Sequence, residues 1–140
     1  MWAVTKSPYS MVSAVLTGVL IDLDHLIEYY RWFVKEDNSR VYFFLHSYEL
    51  VVPAFLAGYL SGWDPVILGV SSAFLGHLLS DQLANPVAPL AYFFTYRAMK
   101  GFRRREIIDV EWEALQREFL RVPVTRAVLG VFNPRLRVRK

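Results

Sequence analysis

Three histidines and the carboxylates beside them are the residues of this chain whose types and spacing could do chemistry. His77 and Asp81 lie four apart in Gly76-His77-Leu78-Leu79-Ser80-Asp81, so on a helix they share one face, one turn above the other. His25 closes Asp22-Leu23-Asp24-His25, and His46 opens His46-Ser47-Tyr48-Glu49. All 3 histidines of the 140-residue chain thus stand beside carboxylates in otherwise apolar stretches. Imidazole nitrogen and carboxylate oxygen are the ligand atoms of catalytic zinc sites. With no cysteine in the chain, any metal must be held by nitrogen and oxygen alone.

The candidate ligands are Asp22, His25, His46, His77 and Asp81, enough for one zinc ion with outer partners or for two ions, other divalent metals being acceptable. Such an ion would bring the pKa of bound water toward neutrality, and a second would clamp a phosphate. A carboxylate left out of ligation, Asp24 or Glu49, is the candidate general base. Asp22 and Asp24 alternate in direction on a helix, so one of them is expected to ligate. The other caps, pairs with Arg31 or orients His25. Ser47 has neither a base triad nor an oxyanion hole in its spacing and is not favoured as a nucleophile.

The elements that must position these residues read as helices. The first runs from about Ser10 to about Phe33, apolar with small Ser13, Ala14, Thr17 and Gly18 in its first half, which suits close helix approach in a bilayer. Its second half carries Asp22, Asp24, His25, Glu28 and Arg31, which must be paired, coordinated or wet. A polar loop, residues 35–40, leads to a second helix from about Arg40 to Leu60, about 30 Å long and so long enough to span. Asp64 caps a third from Pro65 to about Ala84, which Asn85 and Pro86 end. Short loops force antiparallel neighbours, and up, down, up brings the three histidine motifs to one end.

Pro86 to Met99 is aromatic but too short for a span, and reads as a fourth helix, half-inserted, re-entrant or lying in the membrane interface. An amphipathic helix is expected from about Asp109 to Arg121, with Asp109 as its cap, Trp112, Leu115 and Phe119 as its stripe and Pro123 as its end. The expected fold class is all-α: a small membrane-embedded bundle of three spanning helices, a short fourth and the amphipathic C-terminal helix. Residues 1–105 would form the bundle with the metal site, and residues 106–140 a basic amphipathic helix and tail.

Composition leans the same way. Hydrophobic residues make up 54% and charged residues 21%, against about 45–50% and about 25% in ordinary soluble domains. Lys6, Arg31, Lys35 and Arg40 apart, all of the 16 Lys and Arg lie at or beyond Arg97. No basic and aromatic interleaving of the kind that stacks bases is present, so a nucleic-acid partner is not expected; the bilayer is. Residues 1–21 lack a signal-peptide pattern, and the segment is expected to stay. Arg31, Lys35 and Arg40 against Lys6 favour an inner or plasma membrane with the site on the cytoplasmic side. Oligomeric state is not legible.

These motifs resemble those of the membrane-bound metal-dependent hydrolases: Asp-x-Asp-His at Asp22 to His25, then His-Ser at His46 and Ser47, then a Gly and His-x-x-x-Asp element at Gly76 to Asp81. The His-x-x-x-Asp element followed by a proline, here Pro86, is also similar to the zinc ligands of bacterial zinc-dependent phospholipase C, an all-helical enzyme. The resemblance covers about residues 10–105 and implies a helical membrane protein with zinc-dependent hydrolase activity, in which His77 and Asp81 share a metal. A phosphoester such as a phospholipid headgroup is the implied substrate. Phe44-Leu45 stands where the family often has Arg-Gly, and Ile21 where it has proline. The alternative expectation is a non-catalytic membrane protein with a structural or sensory metal.

Overall fold

The computed structural model describes residues 5–132 and is all-helical, with no strand among them. Pro8 opens α1, Pro8–Val34, supplying the fixed backbone angle a first helical turn wants. This helix changes winding as it goes: α-helical to Ile21, a 3₁₀ turn over Asp22–Asp24, α-helical over His25–Tyr29, then π-helical over Tyr30–Val34. Changes of this kind inside a helix tend to fall at functional positions because they re-aim side chains.

The chain then runs as a non-helical strap from Arg40 to Ser47, bending over residues 44–46, before α2, Tyr48–Leu60. Here the structure corrects the expected second spanning helix, since only 3 residues of 3₁₀ and 10 of α-helix remain. The reason is competition for backbone donors. The Val41 amide donates to Phe102 O at 2.8 Å, the Tyr42 amide to the Glu28 carboxylate, and the Leu45 amide to Asp24 Oδ2 at 2.7 Å. The Leu45 amide is one that a helix begun at Arg40 would have paired with Val41 O, and the Val41 and Tyr42 amides tie what would have been its first turn to other segments.

Asp64 caps α3, Pro65–Ala84, accepting from the Val66 and Ile67 amides. Ser13 Oγ donates to Val66 O at 3.0 Å near the starts of α1 and α3, and Asp22 meets His77 farther along both. These two helices therefore run parallel. On α2, which points the other way, Ala54 O accepts from Ser71 Oγ at 2.8 Å. Two helices, α1 and α3, are long and apolar enough to cross a membrane. Met11, Val15, Leu16, Val19 and Leu20 on α1, and Leu79 and Leu83 on α3, are exposed.

The buried core gathers around the candidate site: Trp32, Phe33, Val41, Phe43, Leu78, Tyr92, Ile107 and Ile108. Short helices close over it. Only Phe94–Met99 of the expected fourth helix is helical, as α4; α5, Arg104–Ile107, follows, and its Ile107 joins the core. The amphipathic helix α6 spans Trp112–Arg121, preceded by Glu111 rather than Asp109. Pro123 starts α7, Pro123–Phe132, instead of ending the helical region. The side chains of Trp112, Leu115 and Phe119, which form the expected stripe, and the tail beyond residue 132 lie outside the described residues.

Candidate metal centre

The three histidine motifs meet at one end of the parallel pair, as the up, down, up topology requires. His77 and Asp81 come from α3, Asp22 from the 3₁₀ turn of α1, and His46 from the non-helical strap between α1 and α2. One ligand-type atom from each of these four residues lies within 4.8 Å of the others. His77 Nε2 is 3.2 Å from Asp22 Oδ1 and 3.4 Å from Asp81 Oδ2. His46 Nε2 is 3.2 Å from Asp81 Oδ2 and 3.6 Å from Asp22 Oδ1.

Both Nε2 atoms are buried and make no hydrogen bond. A buried polar atom without a good partner carries a desolvation cost of about 1–3 kcal/mol. Two such nitrogens facing two carboxylates fit a divalent cation between them. The donor set, two imidazoles and two carboxylates, suits zinc and other borderline metals. Asp22 keeps 56% of its side chain exposed, whereas His46 is fully buried, so one wall of the cluster faces out.

Asp24 is held on the other side of the same histidine. On an ideal α-helix, residues two apart point about 160° away from each other around the axis. In the 3₁₀ turn the separation closes to about 120°, and both aspartates reach His46. The His46 Nδ1–H donates to Asp24 Oδ1 at 3.0 Å, while Asp24 Oδ2 accepts the Leu45 amide. That hydrogen bond fixes the proton on Nδ1 and turns Nε2 toward Asp22 and Asp81, an arrangement common behind metal-binding histidines. Asp24 thus orients a histidine, and it is His46 rather than His25.

Burial pulls the His46 pKa down, but the hydrogen bond to Asp24 and the negative charge of the nearby Asp81 prevail and raise it to about 9. The carboxylates around it therefore favour a cation at Nε2, whether a proton or a metal. His25 stands in a second group with Asp24 and His46, its ring 4.4 Å from that of His46. It is not in the four-residue cluster.

Glu49 is placed elsewhere. Its oxygens accept the Phe94 and Thr95 amides at 2.9 Å each and the Thr95 hydroxyl at 2.8 Å, capping α4. Asp24 is likewise engaged through both oxygens. Ser47 is buried, with its hydroxyl accepting from Arg97.

Arg97 escapes a search for ligands. It is fully buried and donates to His46 O and to Ser47 Oγ, each at 2.8 Å. Its guanidinium also sits 4.7 Å from the centre of the Phe43 ring. Burial lowers its pKa to about 10, so it remains a cation at neutral pH. The one signal in the sequence is a lone arginine after the aromatic run Tyr92-Phe93-Phe94-Thr95-Tyr96.

Among the described residues, fold and site together define an all-helical protein with two helices long and apolar enough to cross a membrane and a His/Asp group that could hold a metal ion. No family model, curated relative or solved structure matches the chain.

Proposed function

We propose that the chain is an integral membrane protein whose Asp22, His46, His77 and Asp81 hold a divalent metal, zinc being the first choice, for hydrolysis of a phosphoester such as a phospholipid headgroup. The observation that carries this reading is the pair of buried, unpartnered Nε2 atoms facing two carboxylates from separate segments. A divalent ion there supplies Lewis acidity toward a phosphoryl oxygen and lowers the pKa of water that binds it. Asp24 orients His46, Arg97 anchors the strap that carries it, and the exposed side of Asp22 is where a substrate would approach. The exposed apolar surfaces of α1 and α3 support burial in lipid. The motif likeness to the membrane-bound metal-dependent hydrolases supports the reaction class. Arg31, Lys35 and Arg40 at the site end against Lys6 favour a cytoplasmic site.

One observation favours a second reading, a structural or sensory metal without turnover: both carboxylates expected as general base, Asp24 and Glu49, have their oxygens occupied. A panel of phospholipids and soluble phosphoesters, assayed with the purified chain before and after chelation, separates the two. Turnover lost on chelation and restored by zinc supports the hydrolase. A chelator that lowers the melting temperature of a protein with no turnover supports the structural role. A melting temperature and turnover both indifferent to chelation would sink both readings.

A further inference from the structure

Away from the metal cluster, four aromatic rings from three separate segments meet at the surface. Tyr42 and Phe44 come from the strap, Phe94 starts α4, and Phe102 follows it. Their centroids are linked in a ring: Tyr42 to Phe44 at 6.3 Å, Phe44 to Phe94 at 6.1 Å, Phe94 to Phe102 at 5.6 Å, and Phe102 to Tyr42 at 5.3 Å. Yet the cluster is not core. Phe44 is 49% exposed and Phe94 38%. Phe102 is held at φ 56°, a left-handed backbone that a bulky residue rarely adopts, and this conformation brings its ring against the others.

Beside the rings, an isolated antiparallel bridge sets Arg40 opposite Arg103. Both are exposed, and among the described residues neither guanidinium lies within ion-pair distance of a carboxylate. Asp37, the nearby acid, is taken by Arg31 at 2.5 Å. Like charges directly opposite each other repel, and an anion between them removes the repulsion. Arg40 Nη1 donates to the Tyr42 hydroxyl at 3.3 Å, and exposed aromatic rings flanked by arginines without an acidic partner are the composition of a membrane–water interface, where rings sit at headgroup depth and arginines meet lipid phosphates.

We infer that Tyr42, Phe44, Phe94 and Phe102, with Arg40 and Arg103, form a docking surface for the headgroup region of an anionic phospholipid leaflet. The strap runs from this surface straight into His46, so docking sets the metal cluster at headgroup depth. The inference rests on the membrane reading above and not on the metal.

Because the chain has no cysteine, single cysteines report cleanly. The full chain carrying Phe44→Cys, labelled with an environment-sensitive fluorophore, is reconstituted in phosphatidylcholine vesicles with and without phosphatidylglycerol. Leu16→Cys on the exposed face of α1 serves as the spanning control. We expect brominated lipid to quench the Phe44 label, more strongly with phosphatidylglycerol present. Adding Arg40→Glu and Arg103→Glu should abolish that increment while the Leu16 label stays lipid-quenched. If aqueous iodide quenches the Phe44 label while lipid quenches only Leu16, the surface faces water and the inference falls. Protection from both quenchers would overturn it in favour of a protein partner. Iodide quenching of Leu16 as well would fell the membrane reading itself.

Discussion

Arg97 Nη1 lies 2.8 Å from the backbone carbonyl of His46, a fully buried cation gripping the main chain of a candidate metal ligand. The second arm of the same guanidinium holds Ser47, so the turn that presents His46 is fixed from behind. Replacing Arg97 with Met keeps bulk but leaves the His46 carbonyl and Ser47 hydroxyl buried without their donor. We expect a loss of about 1–3 kcal/mol in stability per orphaned group, read as a lower thermal midpoint in detergent. Arg97→Lys, which keeps the charge but lacks the planar fork that reaches both acceptors from separate nitrogens, should fall between.

The His46–Asp24 pair gives the site a pH dependence. With the His46 pKa raised to about 9, the metal-free protein gains stability from the charged ring below the ordinary histidine pKa near 6.5. That gain is lost as pH rises through about 9. A metal must displace the Nε2 proton, so its apparent affinity should climb with pH up to about 9 and each ion bound near pH 7 should release a proton. Titration calorimetry in buffers of different ionisation enthalpy measures that release; a heat independent of buffer would refute it.

Asp24→Ala removes the acceptor that holds the His46 tautomer. Losses of 10–100-fold in metal affinity are usual for such outer partners, and we expect a value in that range by competition with a zinc indicator. Unchanged affinity would show that the strap alone orients the ring.

Glu49 separates a capping role from a role as base. Because its oxygens cap α4, Glu49→Ala should cost about 0.5–2 kcal/mol of stability with metal content unchanged. If phosphoester turnover vanishes at full metal occupancy and unaltered melting temperature, Glu49 acts in the chemistry instead.

Gly69 sits where α3 comes closest to α1. A Cβ there would collide with Ser13 Oγ and the Ser10 carbonyl, breaking the Ser13 bond to Val66. Overpacking of this kind costs about 1–3 kcal/mol. Gly69→Ala should lower the melting temperature, whereas Gly76→Ala, with open space around its position, should not.

Helical class and the meeting of His46, His77 and Asp81 could be read from spacing and alternating direction, because short loops leave few ways to connect three apolar helices. The non-helical strap could not. Val41-Tyr42-Phe43-Phe44 is as apolar as the helix that follows it, and what unwinds it is the capture of its amides by Glu28, Asp24 and Phe102, all distant in sequence. The expected division of roles between Asp22 and Asp24 rests on their pointing apart on a helix, whereas the 3₁₀ turn lets both address one imidazole. The burial of Arg97 could not be read either, since it depends on acceptors 50 residues away or more. Pro123 can stop one helix or start another; here it starts α7.

Metal content tests the central claim most directly. The chain, purified in a membrane mimic and dialysed against buffer with trace zinc, should carry about one divalent ion or more per molecule by elemental analysis. His77→Ala and Asp81→Ala, folded by circular dichroism, should each lose most of it. A wild-type chain free of metal, or a folded His77→Ala that keeps its full content, would contradict the assignment.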